Sequence, residues 1–453
     1  MRMAPPDLPG APSVDSPLDR ALALLLAGER EAALRWSAAV VQQDASVPSA
    51  LILTCRLLAE SGRQEAAIEG FELGVKRAID TGNLPLAVAA VGDLKTLGVD
   101  VTGHLDEIAS AFCAGSPRLS DDAAPPPPPL PTDESFQPLS SFLSGPALLS
   151  KATEIIHSAS TEFEMLADSE PPLISPLSLF SSLEKEGLRA LIECFEMMTV
   201  PAGRPVITEG EEGAEAYIVA RGELEVRRHD EANAREVRLA RLANGALFGE
   251  MALLSRAPRA ASVVALRPSI LLVAKRDALE AVAAVRPDVG VELAAHCRRR
   301  MVANLVRTSK VLLSVAANER PALVERFETR VFEKNDKIIE DGKDTSGLHL
   351  IASGEVAVIG REDGGESFVI ATLGVGETVG EVALVLRRKA NADVVAVHPT
   401  VTLHLPREDF IGLVQDHPAI LSGLYLCAVE RDEETSSVLA GSTVALAEDY
   451  DLV

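Results

Sequence analysis

The sequence predicts a multidomain chain in which an all-α helical-repeat region precedes two related β-barrels with flanking helices. Three observations predict it. Helical periodicity over residues 16–112 contains an internal repeat spaced by 34 residues. A proline-rich stretch then interrupts the chain, and from about residue 179 onward one unit is written twice at an offset of 132 residues.

Size and composition frame this reading. A chain of 453 residues has a prior of about three domains. Hydrophobic residues make up 47% but aromatic ones only 4%, so Leu, Val, Ile and Ala must fill the cores. A formal net charge of -24 argues against a nucleic-acid partner, because phosphate neutralisation needs clustered Lys and Arg. The cysteines Cys55, Cys113, Cys194, Cys297 and Cys427 are scattered without metal-ligand or disulfide spacing, as expected of reduced thiols in a cytoplasmic protein. No metal site is expected. The apolar run Ala21 to Ala27 follows acidic and proline residues rather than a basic segment, so it reads as a helix face and not a signal peptide. No membrane-spanning segment is expected.

Residues 1–15 are expected to be disordered, and residues 16–113 to form the helical region. There AGEREAALRW at 27–36 recurs as SGRQEAAIEGF at 61–71, with Gly28 and Gly62 separated by the tetratricopeptide period. In each copy the glycine ends one helix and Glu-Ala-Ala begins the next. A third echo at 81–91 falls off period. Stacked helix pairs form concave peptide-binding surfaces, so an unidentified protein partner is assigned to residues 16–113; Trp36 belongs to such a surface or to the core. Residues 114–178 form a Pro-rich acidic linker, with PPPPPLP at 125–131 as stiff polyproline II. It ends in an amphipathic stretch carrying Leu148, Leu149, Ile155 and Ile156, suited to docking.

The two barrels are expected over 179–306 and 307–435, with an acidic tail at 436–453. Gly210 lies over Gly342 and Gly222 over Gly354; Gly249 and Glu250 lie over Gly380 and Glu381 with one residue lost between. After Gly222 the apolar Leu224 and Val226 alternate with polar neighbours, as in strands half-buried in a small barrel. Helices follow each barrel, from about Asp277 with a break near Pro287 to about Val306, and from about Arg407 with a break near Pro418.

Residues 248–265, FGEMALLSRAPRAASVVA, carry the chemistry. Gly249 allows close backbone approach. Glu250 opens the apolar segment Met251 to Leu254, one turn of helix whose N–H groups can face an anion. Arg259, nine positions after Glu250, offers a guanidinium fork, and Ser262 to Ala265 reads as a strand. This string resembles the phosphate-binding cassette of cyclic nucleotide-binding domains, the family of cAMP-dependent protein kinase regulatory subunits and catabolite activators. The resemblance implies an eight-stranded jelly-roll barrel. It also implies that Arg259 pairs with a cyclic phosphate and Glu250 with a ribose 2′-hydroxyl, within a ligand-binding set of Phe248, Gly249, Glu250, Met251, Ala252, Arg259, Ala260 and Ser262. Ala260, where a hydroxyl would favour cGMP, implies cAMP. The base-capping residue is not identified; His296 and Met301 are weak candidates, better read as surface and packing residues.

The second cassette, VGEVALVLRRKANADVVA at 379–396, keeps Gly380, Glu381 and Ala383, but has Ala390 in place of Arg259 and Asp393 in place of Ser262. It is expected to be degenerate, losing a charge-assisted bond worth about 1.5–3 kcal/mol; Arg387, Arg388 and Lys389 offer a possible substitute. GVGETVG at 374–380 mimics a dinucleotide fingerprint but lies inside a barrel. No cofactor and no catalytic set are expected. The expectation is a non-enzymatic cAMP receptor that turns nucleotide binding in the first barrel into altered protein contacts. The alternatives are a nucleotide-independent scaffold and a kinase-type regulatory subunit. For the latter, the linker offers only Pro117-Arg118-Leu119-Ser120, with one Arg where a pseudosubstrate has two.

Overall fold

Glycines in left-handed conformation punctuate the first hundred residues. The computed structural model describes residues 16–122, 136–165, 170–230, 235–251, 257–361 except Ser314 and Glu319, and 367–433 except His417, Ala419, Gly423 and Glu430. Six helices come first: α1 (Pro17–Leu26), α2 (Arg30–Gln43), α3 (Pro48–Glu60), α4 (Gln64–Asp80), α5 (Leu84–Thr96) and α6 (Thr102–Phe112). Ser16 caps α1 by accepting the Asp19 N–H at 3.1 Å, and prolines stand in the first turns of α1, α3 and α5, where a missing N–H costs nothing. The helices α1, α3, α4 and α5 end alike. Gly28, Gly62, Gly82 and Gly98 have φ between 70° and 83°, and the next N–H bonds back to the last turn, as from Arg63 to the Leu58 carbonyl at 2.9 Å. Successive glycines are 34, 20 and 16 residues apart, so the 34-residue spacing occurs once and the region is a helical layer without a sustained period.

The linker's second half folds back on this layer. In α7 (Gly145–Met165), Leu148, Ala152, Ile155, Ile156 and Ala159 are buried, and the helix packs on α2, α3 and α4. Gly70 on α4 makes room for it, since a Cβ there would stand 2.3 Å from Cys55 Sγ and 2.9 Å from Ile156. Trp36 stacks on Phe136 at 5.8 Å with the Arg20 guanidinium 4.8 Å from its ring, so the chain itself covers this tryptophan. The proline run, residues 1–15 and the acidic tail lie outside the described residues.

After α8 (Lys185–Glu193) comes the first barrel: β1 (Glu196–Val200), β2 (Pro205–Ile207), β3 (Glu215–Arg221), β4 (Leu224–Asp230), β5 (Arg235–Leu242), β6 (Leu247–Phe248), β7 (Ser262–Ala265) and β8 (Ser269–Lys275). Two antiparallel sheets, ordered β1-β8-β3-β6 and β2-β7-β4-β5, enclose Val219, Leu224, Phe248, Val263 and Leu271. Helices α9 (Arg276–Val285) and α10 (Pro287–Thr308) follow, broken at Pro287 as expected, and then the short α11 (Lys310–Leu313) and α12 (Arg320–Glu325).

The second barrel repeats the plan with β9 (Glu328–Phe332), β10 (Lys337–Ile339), β11 (Gly347–Ser353), β12 (Val356–Arg361), β13 (Ser367–Leu373), β14 (Thr378–Val379), α13 (Glu381–Val385), β15 (Asp393–Ala396) and β16 (Thr400–Pro406), then α14 (Arg407–Asp416). Its sheets run β9-β16-β11-β14 and β10-β15-β12-β13, the first barrel's orders shifted by eight strands. The dinucleotide-like GVGETVG forms a turn and β14 here, with no βαβ unit around it.

The described chain divides into two compact units. One holds the helical layer, the sheets of the first barrel and α9; the other holds the described chain from Ala295, together with residues 210–214, Met251 and residues 257–260. Within the first unit, Asp19 is buried and pairs with Arg221 at 2.6 Å and Arg267 at 3.2 Å, while Asn83 Nδ2 donates to the Ala220 carbonyl at 3.1 Å. Helix α5 packs on β1, β3 and β8. Much of the helical layer therefore already faces its own chain, on α7 and on the barrel. Among the described residues no helix is long and apolar enough to cross a membrane, and no cluster of three metal-ligating side chains occurs.

Candidate functional site

In the first cassette, Phe248 ends β6 inside the core, stacked on Tyr217 at 5.2 Å. Gly249 follows with φ 75°, a conformation that favours glycine and turns the chain out of the strand. Glu250 is 4% exposed. Met251 packs against a hydrophobic cluster that includes Met301 and Leu305 of α10. Ala252 and the rest of the expected helical turn through Leu254 lie outside the described residues. Ala260 is exposed, and Ser262 opens β7 with its Oγ accepting the Glu209 N–H at 2.9 Å.

Arg259 is fixed from both ends of its peptide unit. Its N–H donates to the Glu211 carbonyl at 2.9 Å, and its own carbonyl accepts the Gly210 N–H at 2.9 Å. Its guanidinium lies flush on Gly213, where a Cβ would stand 2.2 Å from Nε and 2.3 Å from Nη2. A side chain at position 213 would displace that cation.

The second cassette keeps the frame and changes the chemistry. The Ala390 N–H donates to the Lys343 carbonyl and its carbonyl accepts the Gly342 N–H, both at 2.9 Å. This is the bridge that Arg259 makes, so Ala390 occupies the arginine position. Thr345 takes the place of Gly213, with its hydroxyl donating to the Gly347 carbonyl at 2.9 Å. Gly380 (φ 89°) abuts the Gly347 carbonyl, Glu381 begins α13 fully buried, and Ala383 is buried behind it.

Asp393 accepts the Asp341 N–H at 2.9 Å, as Ser262 accepts that of Glu209, and pairs with Lys337 at 2.9 Å and Arg361 at 3.0 Å. Burial works against its charge, yet the Asp341 N–H, Lys337 and Arg361 outweigh it and hold the carboxyl below the usual range. Asp393, which stands where the first cassette has Ser262, is thus an ionised carboxylate balanced by two cations of its own barrel. Arg388, one of the possible substitute cations, is paired with Asp432. Burial raises the Glu381 carboxyl, an effect Arg431 opposes from 2.6 Å.

Both base-capping candidates are packing residues: Met301 belongs to a hydrophobic cluster, and His296 is buried with its titration lowered to about 4 by burial and by Arg300 and Arg299. The lone linker arginine, Arg118, pairs with Asp80 at 3.1 Å and donates to the Pro172 carbonyl at 2.9 Å. Sequence reading overlooked Gly213, although the offset that aligns Gly210 with Gly342 also sets Gly213 against Thr345. It also overlooked Lys337, Arg361 and Arg431, which no local motif marks.

The family model for the cyclic nucleotide-binding domain matches residues 197–285 and 329–417. The chain is 30% identical over 242 residues to a cAMP-dependent protein kinase regulatory subunit of Yarrowia lipolytica, covering 53% of this chain and 60% of that one. It is 28% identical over 225 residues to the Drosophila melanogaster type II regulatory subunit, covering 50% of this chain and 56% of that one. The chain thus spans somewhat over half the length of these relatives, which are regulatory rather than catalytic subunits. The regulatory domain of Toxoplasma gondii PKA, solved with cAMP, matches with 26% identity over 56% of this chain and 92% of that one, at a TM-score of 0.28.

Proposed function

Because the chain carries two cyclic nucleotide-binding domains in tandem, we infer that it is a non-enzymatic cAMP receptor with one nucleotide site, in the first barrel. Arg259 pairs with the cyclic phosphate, Glu250 takes the ribose 2′-hydroxyl, and Ala260 disfavours cGMP. The observation that carries the one-site reading is the paired difference at the shared backbone bridge. The first barrel sets Arg259 on Gly213, whereas the second has Ala390 and Thr345 at the same register. A guanidinium supplies charge-assisted, bidentate bonds to a phosphate that no neutral residue replaces.

Met251 suggests the output. It follows Glu250 directly and packs with Met301 and Leu305 of α10, so a cassette drawn toward nucleotide repacks that helix. Such coupling is typically worth about 1–3 kcal/mol. The natural output is altered contact with a protein partner in the cytoplasm. A catalytic kinase subunit is the partner class that the names of the relatives indicate, though with Arg118 paired to Asp80 the linker offers no ready pseudosubstrate arginine.

Calorimetric titration of the full chain with cAMP and cGMP tests this reading. The expected result is one cAMP site per chain at micromolar affinity or better, lost in Arg259→Ala and weakened in Glu250→Ala. Absence of heat with either nucleotide favours the scaffold, and two equivalents bound would overturn the one-site assignment.

A further inference from the structure

The acid of the second cassette already has an occupant from its own chain. Glu381 is 1% exposed, and its Oε1 accepts from Nη1 of Arg431 at 2.6 Å. The same guanidinium donates to the Thr378 carbonyl and reaches Glu377 at 3.2 Å. The next residue, Asp432, accepts from Arg388 and, at 3.2 Å, from the Asn391 amide. Two adjacent side chains near the end of the described chain thus hold five residues in and just before one cassette, from the turn before β14 to the loop before β15. The polarity alternates: the cation of Arg431 meets acids and a carbonyl, and the acid of Asp432 meets a cation and an amide. That alternation fixes register, because a slip by one residue would oppose like charges.

A buried carboxylate without a partner is strongly unfavourable, and removing one member of a buried pair strands the other. In the second cassette Ala390 supplies no cation, so Arg431 is the group that makes an ionised Glu381 tolerable. The turn beside the Asp432 contact is itself strained: Arg387, two residues beyond the end of α13, has φ 52°, a left-handed conformation that non-glycine residues seldom adopt. The pair between Arg388 and Asp432 sits on the next residue and helps hold that turn in place.

We propose that Arg431 and Asp432 form a C-terminal latch that seals the second cassette, engaging the acid a ribose would otherwise engage and holding the barrel closed without nucleotide. The proposal takes Glu381 as the counterpart of Glu250, but it does not depend on cAMP binding in the first barrel. Its test accordingly contains no nucleotide.

Amide hydrogen exchange on the full chain reads the latch directly. Peptides across residues 377–391 are expected to exchange at least about tenfold faster in Arg431→Ala than in the wild type, with partial recovery in Arg431→Lys. Should Arg431→Ala fail to fold, the more exposed pair decides. Arg388→Asp and Asp432→Arg each raise exchange across 377–391, and the double swap restores protection. Unchanged exchange in a folded Arg431→Ala, or a double swap no better protected than either single variant, would overturn the latch.

Discussion

The two barrels pair their strands in the same order and differ in the side chains set on that frame. Where the first barrel has Arg259, Gly213, Ser262 and Tyr217, the second has Ala390, Thr345, Asp393 and His349, while the hydrogen bonds that bridge the cassette to the loop after the second strand are the same in both. Contacts outward diverge too. In the first barrel Arg221 and Arg267 clamp Asp19 of the helical layer, and the corresponding second-barrel positions hold Ser353 and His398. In the second, Arg431 pairs with the buried Glu381. Duplication has therefore kept the backbone bridge and varied the side chains set on it. The first copy carries Arg259 there and is braced by Asp19 of the helices before it; the second carries Ala390 and pairs its buried Glu381 with Arg431.

Breaking the brace should have the largest effect. Asp19 is a buried carboxylate between two guanidinium groups, and removing one member of such a group typically costs about 3–5 kcal/mol. Asp19→Ala is expected to lower the stability of the first unit by that order in denaturant unfolding, with exchange protection of β11 and β16 in the second barrel unchanged. Equal losses in both barrels would dissolve the distinction. Next comes Arg259→Ala, expected to abolish measurable cAMP binding, a loss of at least about 2 kcal/mol, without loss of folding. The mirror substitution, Ala390→Arg, should add no second site while Thr345 and the Arg431 pair remain, as titration stoichiometry would show.

Gly213→Ala tests the finer part of the comparison. The obstructed atoms are the far end of a flexible side chain, so the fold should tolerate the methyl while the guanidinium shifts off its seat. A displacement of this kind costs about 1 kcal/mol, so cAMP affinity should fall roughly fivefold with thermal stability nearly unchanged. A parallel drop in stability would mean that Gly213 serves the fold rather than the cation.

These differences were unequally legible in the sequence. The duplication, the strand Ser262–Ala265, the break at Pro287 and the replacement of Arg259 by Ala390 could all be read, because each rests on local pattern or constant spacing. The helical region itself could be read, but whether its repeat is tetratricopeptide-like could not, because the glycine cap reads the same whatever helix length follows it. The amphipathic stretch with Leu148, Ile155 and Ile156 could be read as a docking face, but its target could not, because the space that Gly70 leaves for Ile156 appears only in the fold. Pairings between distant residues left no trace. Nothing near Asp393 announces Lys337 and Arg361, and nothing near Glu381 announces a residue 50 positions away. Charge complementarity across a fold has no period to detect.

The smallest difference near neutral pH lies in the sheets themselves. In the first barrel Tyr217 pairs with Val273 and stacks on Phe248, and in the second His349 pairs with His404, their rings 4.3 Å apart. Burial, with His404 and Arg330 nearby, lowers His349 to about 3, while its Nδ1 meets the Thr402 hydroxyl at 3.0 Å. Burial also lowers His404, with Arg330 adding to the effect and Glu328 and the Ser346 backbone opposing it. A histidine held neutral in the fold contributes stability above its unfolded pKa, near 6.5, and loses it as pH falls toward about 3. His349 alone should therefore weaken the second barrel in acid with a slope of up to about 1.4 kcal/mol per pH unit, amounting to under about 1 kcal/mol at pH 6. His349→Tyr, which installs the first barrel's residue, should flatten that slope below pH 6.5, as measured by urea unfolding at a series of pH values or by exchange in β11. Parallel curves for variant and wild type would assign the acid response to other groups and remove this difference between the barrels.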